Sequence, residues 1–566
     1  MDYNKLAELL FPNIDKTPED YEALYPAREE GKIITRLGPS PTGFIHLGNL
    51  YGAFVDERLT HQGAKAGQPG TFYLRIEDTD DKRFVEGAVE TVINSLKFFD
   101  INFDEGATLP APDQEYGTAE AGAYGPYFQS KRRPIYQTFA KKLVSEGKAY
   151  PCFLTEEELA DIRAQQEAAK ETTGIYGKYA EKNRNLSYEE IEANINAGKS
   201  YVVRMKSDGD TSYFKIMDAI RGEVSMPGND QDTIILKANG IPTYHFAHVI
   251  DDHLMRTTHV VRGEEWLMSL PIHVELFNKL GFEMPTYCHT AVLMKIDEET
   301  GNKRKLSKRK DPELSLDYYR NEGYHPQAVK EYLMTILNSN FEEWRAENPD
   351  ADLDEFNFTT EKMSSAGALF DLNKLNDISK DVLLKIPAED LADFLTEWAA
   401  EFKPAILPLL TDGSPEGGQP KAYLTRILDL GRDEAKPRKD FICAKQMWDF
   451  ISYFYDDYFV IQDRIPEQVS DEDAKEILKR YMESYDHSDD QSAWFDKIRT
   501  ITGDLGYAVK PKDYKKHPEE YKGSVAHVST VIRIAVMGRT QSPDVWSIQQ
   551  ILGEDKVRTR ITELIG

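Results

Sequence analysis

The sequence predicts an α/β protein: a parallel-sheet domain, split by an α+β insertion and followed by a long helical region. Three observations carry this expectation. A strand, turn, helix, strand order opens near Lys32, elements of the same kind return after about residue 230, and beyond about Gly323 strand signals become scarce while helical periodicity persists. At 566 residues the chain is about twice the length at which one core stops growing, so several structural units are expected.

The first thirty residues carry acidic and proline-rich segments and read as a short preamble. "KIITRLG" then has the apolar character of a short strand. The turn "PSPTGFIH" follows, and "LGNLYGAFVDERLTHQ" places Leu47, Leu50, Tyr51, Phe54 and Val55 on one helical stripe. "TFYLRIED" reads as the next strand, which completes the opening of a parallel βαβ unit whose ligand site lies outside the carboxyl ends of its strands. From about Asp104 the composition shifts to Gly, Ala, Pro and acidic residues. Helices opening at Thr155 and Ser187 each carry a capping-box spacing, Gly198 stops the second, and "SYVVRMK" and "DTIILKANG" read as extended.

The second half of the parallel domain runs through "PTYHFAHVIDDHLM" as helix, "THVVRGEEW" as strand and "LPIHVELFNKLGF" as helix. "TYCHTAVLMKI" follows as a further strand and leads into the basic loop "NKRKLSKRKD". Farther on, "LLTDGSPEGGQPKAY" reads as a linker, and "SPDVWSIQQILG" as a helix with a serine cap, proline in its first turn and a glycine stop. The boundaries expected are 1–31 for the preamble, 32–110 with 230–325 for the parallel-sheet domain, 111–229 for the insertion, and 326–390 and 391–566 for two helical regions.

Composition narrows the function. No run of eighteen apolar residues occurs and no charged-then-apolar leader opens the chain, so it reads as soluble, cytoplasmic and without membrane contact. Cys152, Cys288 and Cys443 lie far apart without metal-ligand spacing, which argues against a disulfide framework and against structural zinc. Against 69 Lys and Arg stand 97 Asp and Glu, a net charge of −28. A general nucleic-acid binder is disfavoured by that balance, and any RNA contact must use local basic patches.

Two motifs carry chemistry. A glycine-rich turn feeding a helix lets phosphate approach backbone N–H groups at the positive helix end, and a histidine there can donate to developing charge. "HLGN", residues 46–49, meets that description, with an ordinary loop histidine as the alternative. "KLSKR", residues 305–309, gathers cations on one loop some 260 residues later, after a strand of the same domain. Asp251, Asp252 and His253 are adjacent on one helix and point about 100° apart, so they read as structural rather than as a metal site.

The pair resembles the "HIGH" and "KMSKS" signatures of class I aminoacyl-tRNA synthetases. "RLGPSPTGFIHLGN", "LRIEDTDDKR", "GPYFQSKRRPIYQTFAKKLVSEGKAYPCF", "DDHLMRTTHVVRGEEW" and "KLSKRKD" resemble, in order, the text of the bacterial-type glutamyl-tRNA synthetase family. "VIRIAVMGRTQSPDVWSIQQILG" resembles its helical anticodon-binding end, so the likeness covers nearly the whole chain. It implies a Rossmann-type catalytic domain, an acceptor-stem insertion and a helical anticodon-binding region.

The same resemblance implies ATP-dependent ligation of L-glutamate to tRNA(Glu) through a glutamyl-adenylate. ATP arrives with Mg2+, the enzyme is a monomer, and tRNA(Gln) stays open as a second substrate. His46, Lys305 and Lys308 are implied as catalytic and, with Gly48 and Asn49, as ATP-binding. Asn49 stands where the signature ends in a second histidine. Arg36, Ser40, Glu77, Tyr244, His248 and Arg262 are implied to hold glutamate, the two guanidiniums suiting its carboxylates and Glu77 its ammonium. Lys131, Arg132 and Arg133 fall near the tRNA acceptor end, and Arg533 and Arg539 in the anticodon module.

Four other readings compete. A glutaminyl-type enzyme fits less well, since "RIEDTD" is glutamyl-type text and the helical end contrasts with β-barrels. A short base-glutamylating relative lacks an anticodon module. A small nucleotidylyltransferase needs neither "KLSKR" nor a helical tail, and a catalytically dead RNA scaffold is at odds with the intact Arg36, His46, Glu77 and Lys308.

Overall fold

The computed structural model describes residues 1–43, 45–62, 69–80, 85–110, 119–411 and 420–565. The chain forms two compact units, Met1–Tyr318 with Lys330–Asp371, and Tyr319–Val329 with Leu372–Gly566.

In the first unit the expected preamble is an integral part of the core. Helix α1 (Tyr3–Leu10) starts at Asp2, whose carboxylate accepts the Lys5 N–H, and α2 (Pro18–Leu24) starts at a Thr17–Asp20 capping box. Leu6, Ala7 and Leu10 share one face of α1 and are buried in a cluster with Ile135, Phe139 and Leu143. This stripe is short and set among charged residues, which hid it from periodicity.

Strand β1 (Ile34–Leu37), α3 (Leu47–His61), β2 (Thr71–Leu74), α4 (Ala88–Phe98) and β3 (Glu105–Thr108) form the first half of the sheet. Its strands pair in parallel in the order β1, β2, β3, with β4 (Ala119–Ala121) antiparallel at the edge. All five residues of the α3 stripe are buried, as are Asp56, Glu57 and Arg58.

The insertion supplies α5 (Arg133–Ser145), β5 (Ala149–Cys152), α6 (Glu156–Ala169), α7 (Lys178–Arg184), α8 (Tyr188–Asn196) and β6 (Val202–Met205). Thr155 with Glu158 and Ser187 with Glu190 form the two expected capping boxes. The next two strands, β7 (Tyr213–Asp218) and β8 (Gly222–Pro227), pair with each other, and Asp218 pairs in parallel with Tyr287. This hairpin, from the stretch assigned to the insertion, therefore extends the second half of the parallel sheet. Strand β9 (Ile234–Leu236) closes a separate antiparallel sheet with β6 and β5.

The second half continues with α9 (Tyr244–Leu254), β10 (His259–Gly263), α10 (Leu270–Leu280) and β11 (Thr286–Thr290), β10 and β11 pairing in parallel. "TYCHTAVLMKI", read as one strand, breaks after Thr290 because the Val292 N–H donates to the Glu264 carboxylate instead of to a sheet neighbour. Strand β12 (Leu293–Ile296) then pairs antiparallel with β13 (Lys303–Lys305) and parallel with β14 (Ala368–Leu369). The two halves meet at β1 and β10. The Thr258 N–H donates to Ile34 O at 3.0 Å, and the Ile34 N–H to Thr258 Oγ1 at 2.7 Å. These bonds join the amino ends of the two strands, and the crevice at which parallel α/β sheets bind ligands opens at their carboxyl ends.

Every named element of the second unit is helical, packed on a core that includes Trp448, Ile477, Ile498, Ile532 and Ile548. The last-but-one helix, Val545–Leu552, is capped by Asp544, whose carboxylate accepts the Ser547 N–H at 2.8 Å, rather than by Ser542. Gly553 ends it at φ +82°. Most of the linker reading, residues 412–419, lies outside the described residues. Among the described residues no helix is long and apolar enough to cross a membrane.

Candidate active site

His46 is the N-cap of α3 and sits in a reciprocal box with Asn49. Its N–H donates to Asn49 Oδ1 at 3.0 Å, and its Nδ1 accepts the Asn49 N–H at 3.3 Å. Burial and the charge of Lys305 lower its pKa, so the ring is neutral near pH 7. An Nδ1 that accepts puts the proton of a neutral imidazole on Nε2. Asn49, whose charge-free side chain cannot replace a second histidine electrostatically, instead accepts the His46 N–H and closes the box, while its backbone N–H sets the tautomer of the His46 ring. The signal was present in the sequence, since "HLGN" has the N-cap to N3 spacing. Gly48 is needed for the same fold-back, because a Cβ there would stand 3.0 Å from His46 Nδ1 and Cε1.

The "KLSKR" loop opens on strand β13 and is tied from below. Arg304 donates to both Asp311 oxygens at 2.6 and 2.8 Å and to Asp297 at 2.8 Å, while the Ser307 N–H donates to Asp311 at 2.8 Å. Arg304 holds the Asp311 carboxyl down to about 2. With Leu306 buried, Lys305 and Lys308 are left on the exposed side. Lys305 and Glu265, just past the end of β10, both act electrostatically on His46, which brings the two motifs and the second half of the sheet together.

Behind them lies a buried charge cluster. Arg36, on β1, donates from Nε to Asp252 at 3.2 Å and from Nη1 to Val261 O at 3.3 Å. Arg75 donates to the same Asp252 at 2.6 Å and to Glu77 at 3.1 Å. Burial opposes the Asp252 charge, yet Arg36 and then Arg75 hold its pKa well below the usual carboxylate range. Glu77 is raised by burial, a shift that Arg75 and Arg36 only partly offset. Asp251 faces a different set, accepting from Arg132 at 2.7 Å, Tyr136 at 2.8 Å and Gln129 at 3.0 Å. His253 pairs with Glu22 and stacks on Phe282, so the three adjacent residues serve three separate contacts.

Tyr244 opens α9 and packs 4.4 Å from Trp266, with His248 stacked behind it at 5.8 Å. His248, expected to touch substrate, is wholly buried: Nε2 lies 3.0 Å from the Tyr287 hydroxyl, and Nδ1 lies 2.7 Å from Asp252 at an angle that makes no hydrogen bond among the described residues. Its ring stands behind Tyr244 in the wall of the pocket. Arg262, at the end of β10, is buried over the Tyr287 ring, and among the described residues no carboxylate lies within ion-pair distance of it. Among the described residues its Nη2 also has no hydrogen-bond partner. Ser40 is exposed on the turn after β1.

The RNA-facing assignments divide. Arg132 is fully buried on Asp251 and on the Tyr124 and Pro126 carbonyls, so it is an anchor of the core and is corrected from a phosphate contact. A basic run shows which residues carry charge, not which one turns inward. Lys131 and Arg133 are exposed, paired with Glu120 and with Asn239 O. In the second unit Arg533 is half-buried and donates to Thr540 O. Arg539 donates to Asp449 O at 2.6 Å and lines an open polar cavity of about 410 Å³ with Gln446, Phe450 and Gln462.

Three comparisons bear on this site. The family model for the catalytic domain of class I tRNA synthetases (E and Q) matches residues 32–377, and an anticodon binding domain model matches residues 512–565. The glutamate–tRNA ligase of Acetivibrio thermocellus is 60% identical over the full length of both chains. That of Clostridium perfringens strain 13 is 48% identical over 99% of this chain and all of the relative. The crystal structure of a glutamate tRNA ligase from Elizabethkingia meningosepticum, in complex with its amino acid, superposes with a TM-score of 0.68 at 25% identity, covering 94% of this chain and 99% of that one.

Proposed function

Because the chain belongs to the class I tRNA synthetases for glutamate and glutamine, we propose that it ligates L-glutamate to tRNA(Glu) through a glutamyl-adenylate, releasing AMP and pyrophosphate. The enzyme relatives, aligned end to end, support ligation of glutamate to tRNA. The observation that carries the amino-acid side is Arg262: a buried guanidinium with one nitrogen unpartnered is suited to a ligand carboxylate.

In this reading Arg262 takes one substrate carboxylate through Nη2, with Tyr244 beside it. Arg36 reaches the other through the nitrogen that neither Asp252 nor Val261 takes. Glu77, whose pKa burial raises, offers its carboxylate to the substrate ammonium, and Ser40 supplies a polar edge. His46 presents its Nε2 proton, and Lys305 and Lys308 their charges, to the phosphates as the glutamate carboxylate attacks the α-phosphorus. Donors fixed in advance contribute most where charge builds in the transition state. Cations and a neutral histidine suit phosphate oxygens rather than a protein-held metal, so Mg2+ arrives on ATP.

Lys131 and Arg133 meet the acceptor end of the RNA and Arg539 the anticodon end, in a cytoplasmic enzyme acting as a monomer. Charging purified tRNA(Glu) and tRNA(Gln) with labelled glutamate tests the activity and the tRNA choice together. Failure to form glutamyl-tRNA(Glu) would falsify the reading, whatever the outcome with tRNA(Gln).

A further inference from the structure

Arg262 is held in an unusual way for a buried cation: its fixed contacts are neutral. Nε donates to His289 Nε2 at 2.9 Å, Nη1 lies 3.3 Å from His273 Nδ1, and the guanidinium carbon stands 4.5 Å from the centre of the Tyr287 ring. An arginine can only donate, so both histidine nitrogens must be acceptors. The remaining protons then follow by elimination. His289 carries its proton on Nδ1 and donates to Asp218 Oδ2 at 2.7 Å. His273 carries its proton on Nε2 and donates to His245 Nδ1 at 3.0 Å. Burial disfavours the charged form of all three rings and holds His245 down to about 4.

The contrast with Arg36 gives this arrangement its meaning. Arg36 is positioned by a carboxylate, and Asp252 cancels much of the charge that it could offer a ligand. Two imidazoles position Arg262 as firmly while cancelling none of it. Asp218, the nearest acid in the chain of contacts, stands one ring away, and its role is to select the His289 tautomer.

We propose that His273 and His289 are positioning residues for amino-acid recognition, a neutral acceptor pair that orients Arg262 while leaving its positive charge for the substrate carboxylate. Neither residue touches substrate in this account. The inference rests on the reading of Arg262 as a carboxylate partner.

The test is glutamate- and tRNA-dependent ATP–pyrophosphate exchange on the full chain, with KM for glutamate, KM for ATP and kcat measured separately. His273→Leu and His289→Leu should each raise KM for glutamate by about 10- to 100-fold, the worth of one hydrogen bond to a charged group, with KM for ATP within about twofold of the parent. His273→Asn, whose Oδ1 can occupy the place of the Nδ1 acceptor, should restore most of the loss. His289→Gln keeps an acceptor near Nε2 but loses the link to Asp218, and should restore part of it.

Arg262→Leu separates the two levels. If it raises KM for glutamate while both His→Leu variants leave it within twofold, the positioning role is wrong and the Arg262 reading stands. If Arg262→Leu leaves KM for glutamate unchanged, the Arg262 reading itself fails. A His273→Leu variant in which both KM values rise together, with no recovery in His273→Asn, would mark the ring as a general packing element and overturn the proposal.

Discussion

Asp252→Asn isolates the charge at the bottom of the active-site crevice, because the substitution keeps the shape and removes only the carboxylate. In the parent, Asp252 stands 2.6 Å from Arg75 Nη1 and 3.2 Å from Arg36 Nε, with all three side chains essentially out of water. Breaking a buried pair typically costs about 3–5 kcal/mol, since the partner stays buried without its counterion. Here two guanidiniums lose one carboxylate, but Glu77 still meets Arg75, and the new amide oxygen still accepts one hydrogen bond. The lower end, about 3 kcal/mol, is therefore expected, which is about a hundredfold in an opening equilibrium.

Native-state hydrogen exchange reads that opening locally, through the Thr258 amide that donates to Ile34 O across the β1–β10 seam. Its protection should fall by about two orders of magnitude if the seam opens with the pair. The parent also carries a pH signature that the variant should lose. A carboxyl held below its unfolded value stabilises fully above that value, about 3.9, and less as the pH falls through the depressed one. Unchanged Thr258 protection, or an acid profile identical to the parent's, would show that Asp252 is dispensable to the seam and that the charge argument is mistaken.

Three further outcomes follow from the geometry. His46→Ala should slow adenylate formation by about 10²–10³-fold in single-turnover assays, and Asn49→Ala, which removes a cap worth about 1 kcal/mol, should slow it less while leaving ATP binding measurable. Equal losses in the two variants would mean that Asn49 acts on substrate directly. Arg132→Ala should destabilise the first unit by about 3–5 kcal/mol without changing tRNA affinity of the folded protein, whereas Lys131→Ala should leave stability unaltered; selective loss of tRNA binding in Arg132→Ala refutes the anchor role. Binding of tRNA should weaken with salt at a log-log slope of roughly −0.7 to −0.9 per phosphate neutralised, and a flat titration is incompatible with basic patches on a chain of net charge −28.

What periodicity and turn chemistry encode was readable along the chain. The α3 stripe, the capping boxes at Thr155 and Ser187, and the helix carrying Tyr244 all follow from spacing within about a dozen residues. Contacts between distant residues were not. Nothing near Arg36 announces that its counterion stands 216 positions away, and nothing in "SKRRP" distinguishes the buried Arg132 from its exposed neighbours. His273 and His289 look like ordinary members of an apolar helix and a strand. Their role depends on which nitrogen faces Arg262, a property of side-chain direction that residue type does not specify.

The seam between β1 and β10 also sets a timetable for synthesis. Ile34 and Thr258 are separated by 224 positions, so at about 5–20 residues per second on the ribosome the first strand waits roughly 10–45 s for its neighbour to emerge. During that interval the open edge of β1, with Arg36 and Arg75 still lacking Asp252, belongs to a nascent chain that cannot close its own catalytic domain. Growth of the polypeptide past residue 263, rather than completion of the first βαβ unit, is the event that lets the nucleotide crevice exist.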